Sequence, residues 1–485
     1  MKEIIRNKNI IILILIVLLG AFLRLYRIRE LGTFRGDQAI ELSGAADILE
    51  GKFRLIGIKT SISEIHNGAV MYYMLAPFLF IFNYDPVAGS TLQTILSLSS
   101  IILIYMISRL YLSEKKALLA SFFLSASSLL VHYSRQTLLA QYPLFFCGLA
   151  IYLFLRIVKK FQISYCLFLG FLMGFMLQIH YSTIVVLFCM IITPFFLLER
   201  RRLLIYFLCI FLGFAIGLTP IILFEFRHEF FNSKMLLSFF SHQTESTIVY
   251  FNQFNYWLDV LTSLFFGGNK LITIPYLFTL IYGLITFRHK ITDLEKILII
   301  QIFIMIVFTI FFVRISVLHY AIAAFIPIFI LSSNIIIELA NKYFRKLANL
   351  IVFLLFMIFF TTQIPSLGLS DNHGWNMTPG WTMPAAKKTA QIIMQDIGKN
   401  KYNVAMLIDA ENQGLPLRYF LEFGNNLPLM INEYDKADFL YIAVEPDLDL
   451  QKVDMYEIHA FGGYQIGKVW DVKDGIRLYR LDKKS

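Results

Sequence analysis

Apolar positions in this chain run in long unbroken blocks, unlike the alternation of a half-buried strand or the stripe of a surface helix. The blocks fall at about 9–26, 88–110, 116–133, 139–157, 163–179, 182–198, 203–224, 271–287, 296–313, 317–338 and 347–365, with short polar turns between them. A helix of about 17–25 apolar residues is long enough to cross a hydrocarbon core. The pattern predicts an all-α polytopic membrane protein with about 11 transmembrane helices. Composition agrees, with 58% of residues apolar and 16% charged, against about 25% charged in a soluble chain. The first block, NIIILILIVLLGAFLRL, lacks a small-residue cleavage site and reads as a retained first span.

A further apolar run, GAVMYYMLAPFLFIF (68–82), decides the topology, because counting it as a span inverts every later loop. The short loops SEKK (113–116), RIVKK (156–160), ERRR (199–202), RHK (288–290) and NKYFRK (341–346) are basic, and the loops alternating with them are nearly free of Lys and Arg. Cytoplasmic loops carry such basic excess. If 68–82 lies on the outer face as an interfacial helix, all these clusters fall inside with Lys2, Arg6 and Lys8. Arg24, Arg27 and Arg29, at the outer end of the first span, argue the other way and are outweighed. The expected result is a multi-pass protein of the cell membrane with a cytoplasmic N-terminus. A long first outer loop (27–87) carries QAIELSGAADILEGKF, an amphipathic helix, and a second outer loop runs over 225–270.

From residue 366 the texture changes. MPAAKKTAQIIMQDIGKN reads as a helix, YNVAMLID and DFLYIAVEP as short buried strands, LPLRYFLEFG as a helix between them, and YQIGKVWDV with GIRLYRLDKK as a hairpin. The chain is thus expected to divide into a membrane domain, 1–365, and a small extracytoplasmic α/β domain, 366–485. Net charge is +10, but the tail holds 13 Lys+Arg against 16 Asp+Glu, so the positive charge sits between spans. That distribution excludes nucleic acid as a partner. All four cysteines lie in apolar stretches and provide no disulfide framework for the tail.

Ionisable side chains near the bilayer centre cost about 2.5–3.5 kcal/mol each, and less near helix ends. On the expected topology a set of them gathers at the outer face: Asp37, Glu41, His66, Arg135, His180 with Tyr181, Arg227, His228, Arg314 and His319. Several cations around one or two carboxylates suit an anionic substrate whose reaction also needs a base. Sugar transfer from a lipid phosphate has that demand: donors stabilise the leaving phosphate, and a carboxylate takes the proton of the attacking hydroxyl. Each residue also has a plainer reading. Asp37 could cap a helix over 38–50, Glu41 could be a solvated partner, His66 and the 180–181 and 314–319 residues could anchor at headgroups, and Arg135 could snorkel. Arg227 and His228 read as ordinary loop charges.

A first span, a long outer loop opening with an acidic motif, and His66 shortly before Tyr72-Tyr73 on an interfacial helix together resemble the GT-C superfamily of glycosyltransferases. Glycosyltransferase family 39, with its protein O-mannosyltransferases and aminoarabinose transferases, is the closest likeness, over roughly residues 10–200. RISVLHYAIAAFIPIFIL (314–331) resembles a later family region. Asp37 matches the first residue of the family's Asp-Glu motif, with Gln38 at the second. His66, followed by Asn67 and Gly68, is what stands for His-Pro-Pro-Leu. Ser134 and Arg135 match the family's Ser-Arg segment, with Ala140 where an acid is expected and Gln141 beside it. Ser90 lies where an arginine is often found.

The resemblance implies a membrane glycosyltransferase moving a sugar from a polyprenyl-phosphate donor to a lipid, glycan or protein acceptor. Asp37 would be the catalytic base, and His66, Arg135, Gln141, His180, Tyr181, Arg314 and His319 would bind donor or phosphate. The lipid-linked sugar is a co-substrate, and membrane lipids are the other partners. The pattern neither demands nor excludes a divalent metal, since no His/Asp/Glu set has ligand spacing on one helix face. Two rivals stand: a lipid-linked sugar flippase or transporter, and an inactive relative that only binds lipid-linked sugar.

Overall fold

The computed structural model describes residues 2–60, 64–241, 252–312, 317–446 and 448–484. Among the described residues seven helices are long and apolar enough to cross a membrane, and up to nine spans result if each of two bent pairs counts as one. The expected spans at 163–179 and 182–198 form the shorter apolar helices Ile163–Ile179 and Tyr181–Leu197. At 1.5 Å per residue, 17 residues rise about 26 Å, a little short of a core of about 30 Å. The run at 68–82 becomes a helix of 12 residues, Val70–Ile81.

The expected third span is broken. Glu114–Ala126 and Ser128–Ser134 meet at 59°, with Ser127 extended between them. Breaking a helix in an apolar interior frees carbonyl and N–H groups that no water can reach. Here side chains from other helices meet them. Arg24, fully buried, donates to the carbonyls of Ser125 at 2.8 Å and Leu124 at 3.3 Å, and its Nε donates to Ser97 Oγ at 2.9 Å. The Gln363 side-chain oxygen accepts from the Ser128 N–H at 2.6 Å. The arginines that argued against the topology thus have local duties: Arg24 pins the break, Arg27 donates to the Leu369 carbonyl, and Arg29 pairs with Asp85.

Two other helices approach backbone to backbone. Gly170 and Gly174 of Ile163–Ile179 face Gly213 and Gly217 of Arg200–Gly217, each helix carrying the small-xxx-small spacing that allows close packing in membranes. A Cβ at Gly213 would stand 2.1 Å from the Leu167 carbonyl oxygen, and one at Gly174 would stand 2.4 Å from that of Phe214. Beyond Gly217 the second helix bends by 64° into Thr219–Arg227, and Gln178 Nε2 donates to the Gly217 carbonyl at the bend.

In the long connection over 27–87, the helix Gly36–Leu49 packs on Val70–Ile81, with the Tyr72 ring lying on Gly44. A two-stranded hairpin, Ile56–Lys59 with His66–Gly68, joins them. The 225–270 connection also holds helices, Phe231–Ser241 and Gln253–Phe265.

The C-terminal unit forms a four-stranded sheet. Tyr402–Leu407 and Phe439–Val444 pair in parallel, and Ile476–Lys483 and Tyr464–Lys473 complete the sheet antiparallel. The continuous apolar runs of the first two strands suit their full burial. Met383–Asp396 begins with the Thr382 side chain accepting from Ala385 N–H at 3.2 Å, and Leu415–Phe423 turns toward the membrane helices. There Tyr419 donates to the Tyr84 carbonyl at 2.8 Å, Phe34 packs edge-on between Tyr419 and Phe420, and Tyr84 stacks on Phe423.

Replacing Arg24 by Met leaves two buried carbonyls without donors, at about 1–3 kcal/mol each. A clear fall in the thermal unfolding midpoint in detergent is expected for R24M, and almost none for R29A, whose ion pair is exposed. G213L is expected to abolish recovery of monodisperse folded protein, read by size-exclusion chromatography.

Candidate active site

Asp37 occupies the first turn of Gly36–Leu49, and it is exposed. It is not the helix cap: Arg35 holds that position, and Gln38 Oε1 accepts from the Arg35 N–H at 2.8 Å. The Gln38 amide also donates to Thr33 Oγ1 at 2.7 Å. A carboxylate could accept at the cap but could not donate to Thr33, so the glutamine has a structural reason to stand in the motif's second position. With its neighbour busy locally, Asp37 is left with no ion pair among the described residues. Its charge instead faces two other carboxyl groups, Glu41 and Glu411.

Glu411 comes from the C-terminal unit. Asp409 and Ala410, both with φ near +57° to +58°, turn the chain so that Glu411 projects onto the start of the Gly36–Leu49 helix. A Cβ at Gly36 would lie 2.2 Å from Glu411 Oε2, so a side chain there would turn the carboxylate aside. Its other oxygen accepts from the N–H groups of Gln413 at 3.1 Å and Leu415 at 3.4 Å. Burial and the Asp37 charge push the Glu411 carboxyl above its usual range. Nothing in the sequence pointed to this residue, which contacts the site only through the fold.

Glu41 is not solvated. It is 1% exposed and accepts from the Leu139 N–H at 3.2 Å. Burial pushes its carboxyl well above the ordinary range, and Asp37 adds to that rise. One helical turn from Asp37, it faces the 134–141 segment while Asp37 faces solvent.

Arg135 is 1% exposed and does not snorkel. Its guanidinium donates to the Leu23 carbonyl, and its Nε has no partner. Ser90 and Thr94 donate to the carbonyls of Arg135 and Ser134 at 2.8 and 3.0 Å, so Ser90 has a role of its own where the family often has arginine. Arg135 lines a cavity of about 410 Å³ with His132, Asp371, His373 and Trp375. The His132 ring stacks on Trp375 at 5.4 Å, its Nε2 meets the Ser366 carbonyl at 2.6 Å, and its Nδ1 is unpartnered. His132 was missed from sequence, although it stands three residues before Arg135 and therefore on the same helical face.

Gln141 is buried, donates to Gln136 Oε1 at 2.9 Å and leaves its own oxygen unpartnered. His66 opens the second strand of the hairpin. Its N–H donates to Asn232 Oδ1 at 3.1 Å and its carbonyl accepts from the Tyr181 hydroxyl at 2.8 Å, so Tyr181 holds backbone there. Partial burial lowers the affinity of the His66 ring for a proton. His180 and His319 come together edge-on at 6.0 Å, with Tyr320 beside them, and His180 Nδ1 meets Ser182 Oγ at 2.8 Å. Arg314 lies outside the described residues. His228 stacks on Phe224, and Arg227 is exposed.

The candidates therefore form three groups: Asp37 with Glu41 and Glu411; Arg135 with His132; and His66, Tyr181, His180 and His319. Among the described residues no hydrogen bond or ion pair joins Asp37 to Arg135 or His66, and no group of three or more His, Cys, Asp and Glu side chains could hold a metal ion. A second cavity, of about 270 Å³, runs along Ile40, Ser43, Gly44 and Asp47 against Arg418, Tyr419 and Glu422. Ile40 and Gly44 follow Asp37 at helical spacing, so this cavity shares the face of the helix that carries Asp37.

Residues 66–224 match the family described as dolichyl-phosphate-mannose-protein mannosyltransferase. No curated protein sequence matches the chain. Among solved structures, ArnT from Cupriavidus metallidurans bound to undecaprenyl phosphate superposes with a TM-score of 0.62 at 12% identity, over 97% of each chain. An Archaeoglobus fulgidus oligosaccharyltransferase in complex with Zn and sulfate gives 0.57 at 11% identity, over 89% of this chain and 67% of its own. The arabinofuranosyltransferase AftD from Mycobacteria gives 0.59 at 11% identity, over 99% of this chain and 40% of its own. The chain has the fold of the GT-C membrane glycosyltransferases, and within it residues 66–224 carry the sequence pattern of the dolichyl-phosphate-mannose-protein mannosyltransferase family.

Proposed function

We propose that this protein transfers a sugar from a polyprenyl-phosphate donor to a lipid, glycan or protein acceptor at the outer face of the membrane, with its 366–485 domain on that side. The observation that carries the reading is Asp37: an exposed carboxylate without a cation partner among the described residues, on a helix face that continues into a cavity. The acceptor hydroxyl attacks the anomeric carbon, the bond from that carbon to the phosphate oxygen breaks, and Asp37 takes the hydroxyl proton. The 270 Å³ cavity is the place for the acceptor.

Negative charge grows on the departing phosphate, and buried donors answer it best where water is scarce. Arg135, with its Nε unpartnered, lines the larger cavity and suits that role, while His132, whose Nε2–H is spent on the Ser366 carbonyl, offers Nδ1 as an acceptor beside it. His180 and His319, with Arg314 and His66, would hold the donor further along, and Gln141 and Tyr181 would support the walls. The bound undecaprenyl phosphate of the ArnT structure is consistent with a lipid phosphate as donor.

Transfer from labelled polyprenyl-phosphate sugars by the full chain in nanodiscs tests this. D37N is expected to lose about 10²–10⁴ in kcat, the usual contribution of a general base, with little change in KM. R135M is expected to lower kcat about tenfold or more, as loss in the transition state of a charged hydrogen bond of about 1.5–3 kcal/mol implies. Full activity in D37N removes the proposed base, and movement of donor across the bilayer without transfer points to a flippase.

A further inference from the structure

In the 134–141 segment Ser134 and Arg135 stand where the resemblance expects them, and Ala140 stands where it leads one to expect an acid. In the structure a carboxyl group from another element reaches the backbone next to Ala140. Glu41 Oε1 accepts from the N–H of Leu139, the residue before Ala140, at 3.2 Å. Glu41 Oε2 is buried without a partner, and the Tyr142 hydroxyl, two residues past Ala140 and electrostatically coupled to Glu41, is also buried and unpartnered.

We propose that Glu41 is a positioning residue for Asp37, tying the Gly36–Leu49 helix to the 134–141 segment beside Ala140. The inference rests on the reading of Asp37 as the base. Through Leu139, Glu41 fastens the turn that begins at Arg135 and ends at Gln141 to the helix that carries Asp37. The turn and the base then keep one relative position as substrate enters.

A carboxyl group shielded from water and without a cation is more stable uncharged. The titratable groups around Glu41 are Asp37 on its own helix, Tyr72 on Val70–Ile81 and Tyr142 at the start of Pro143–Lys159, and none brings positive charge. Burial raises the proton affinity of Glu41 most, Asp37 raises it further, and the Leu139 N–H works against both. The uncharged form is present below that raised pKa and is lost as pH rises through it. Ionisation would set a second negative charge one helical turn from Asp37 in a water-poor site, so the frame weakens on the alkaline side.

Wild type, E41Q and D37N in nanodiscs distinguish the possibilities. Infrared spectra followed across pH are expected to show the carbonyl stretch of a protonated carboxylic acid that persists above the range of the exposed carboxylates, lost in E41Q and kept in D37N. Above the titration of Glu41, wild-type kcat is expected to fall about tenfold per pH unit, following the neutral fraction. E41Q, uncharged at every pH and of nearly the same shape, should lack that limb. A fall of kcat at pH values where the thermal midpoint still lies well above the assay temperature separates positioning of Asp37 from mere loss of the fold. If wild type transfers no sugar from any polyprenyl-phosphate donor, the glycosyltransferase reading fails. The infrared band and the fall of the thermal midpoint with pH, steeper in wild type than in E41Q, then decide Glu41 separately. A band unchanged in E41Q, or an alkaline limb or thermal slope common to both proteins, overturns the proposal.

Discussion

The helix break at Ser127 is stable only because a cation buried elsewhere answers the carbonyls it exposes. Arg24 donates to Leu124 and Ser125 from the end of the first helix, and Gln363 accepts the Ser128 N–H from the last. Three elements far apart in sequence are thereby locked around one defect. Without the break, the short helix Ser128–Ser134 would continue along the axis of Glu114–Ala126. Bent by 59°, it brings His132 and Arg135 to the cavity beneath the linker to the C-terminal unit. Charge buried for a structural reason here places charge for a chemical one.

The same economy recurs in the 27–87 connection. Gln38 and Glu41 stand on one helix with Asp37 and both turn inward, to Thr33 with the Arg35 N–H and to the Leu139 N–H respectively. Asp37 alone remains outward. A base is most useful when nothing else competes for its lone pairs, and its neighbours achieve this by engaging backbone groups that would otherwise be unsatisfied. The helix is a support on its inner face and leaves an unengaged carboxylate on its outer one, as the proposed base requires.

Much of this was legible in the chain. Apolar blocks declare helices because each must satisfy its own backbone in lipid, and the runs of the C-terminal unit declared its strands for a similar reason of burial. The Asp37, His66 and Ser134–Arg135 landmarks were readable as motif. What escaped was what depends on partners distant in sequence. The break at Ser127 needs Arg24 and Gln363, and no local propensity announces it. Glu41, one turn from Asp37, read as either a solvated or a structural partner, and its burial decides for the second. Four residues advance a helix about 40° beyond a full turn, enough here to carry the side chain from water into the packed interior. Glu411 was invisible because only the docking of the C-terminal unit brings it to Gly36. The glycine pairs at 170–174 and 213–217 were visible as spacing, and their meaning as a contact surface needed the fold.

The bare Cα of Gly36 beneath the Glu411 carboxylate has a bearing on grafting. Two distant stretches of the chain meet there over bare backbone. In a chimera joining this C-terminal unit to the membrane portion of a relative, a methyl group at that point would push aside the Glu411 carboxylate, the free end of a flexible side chain. The graft would therefore change the acid standing beside Asp37 before it disturbed the seating of the unit.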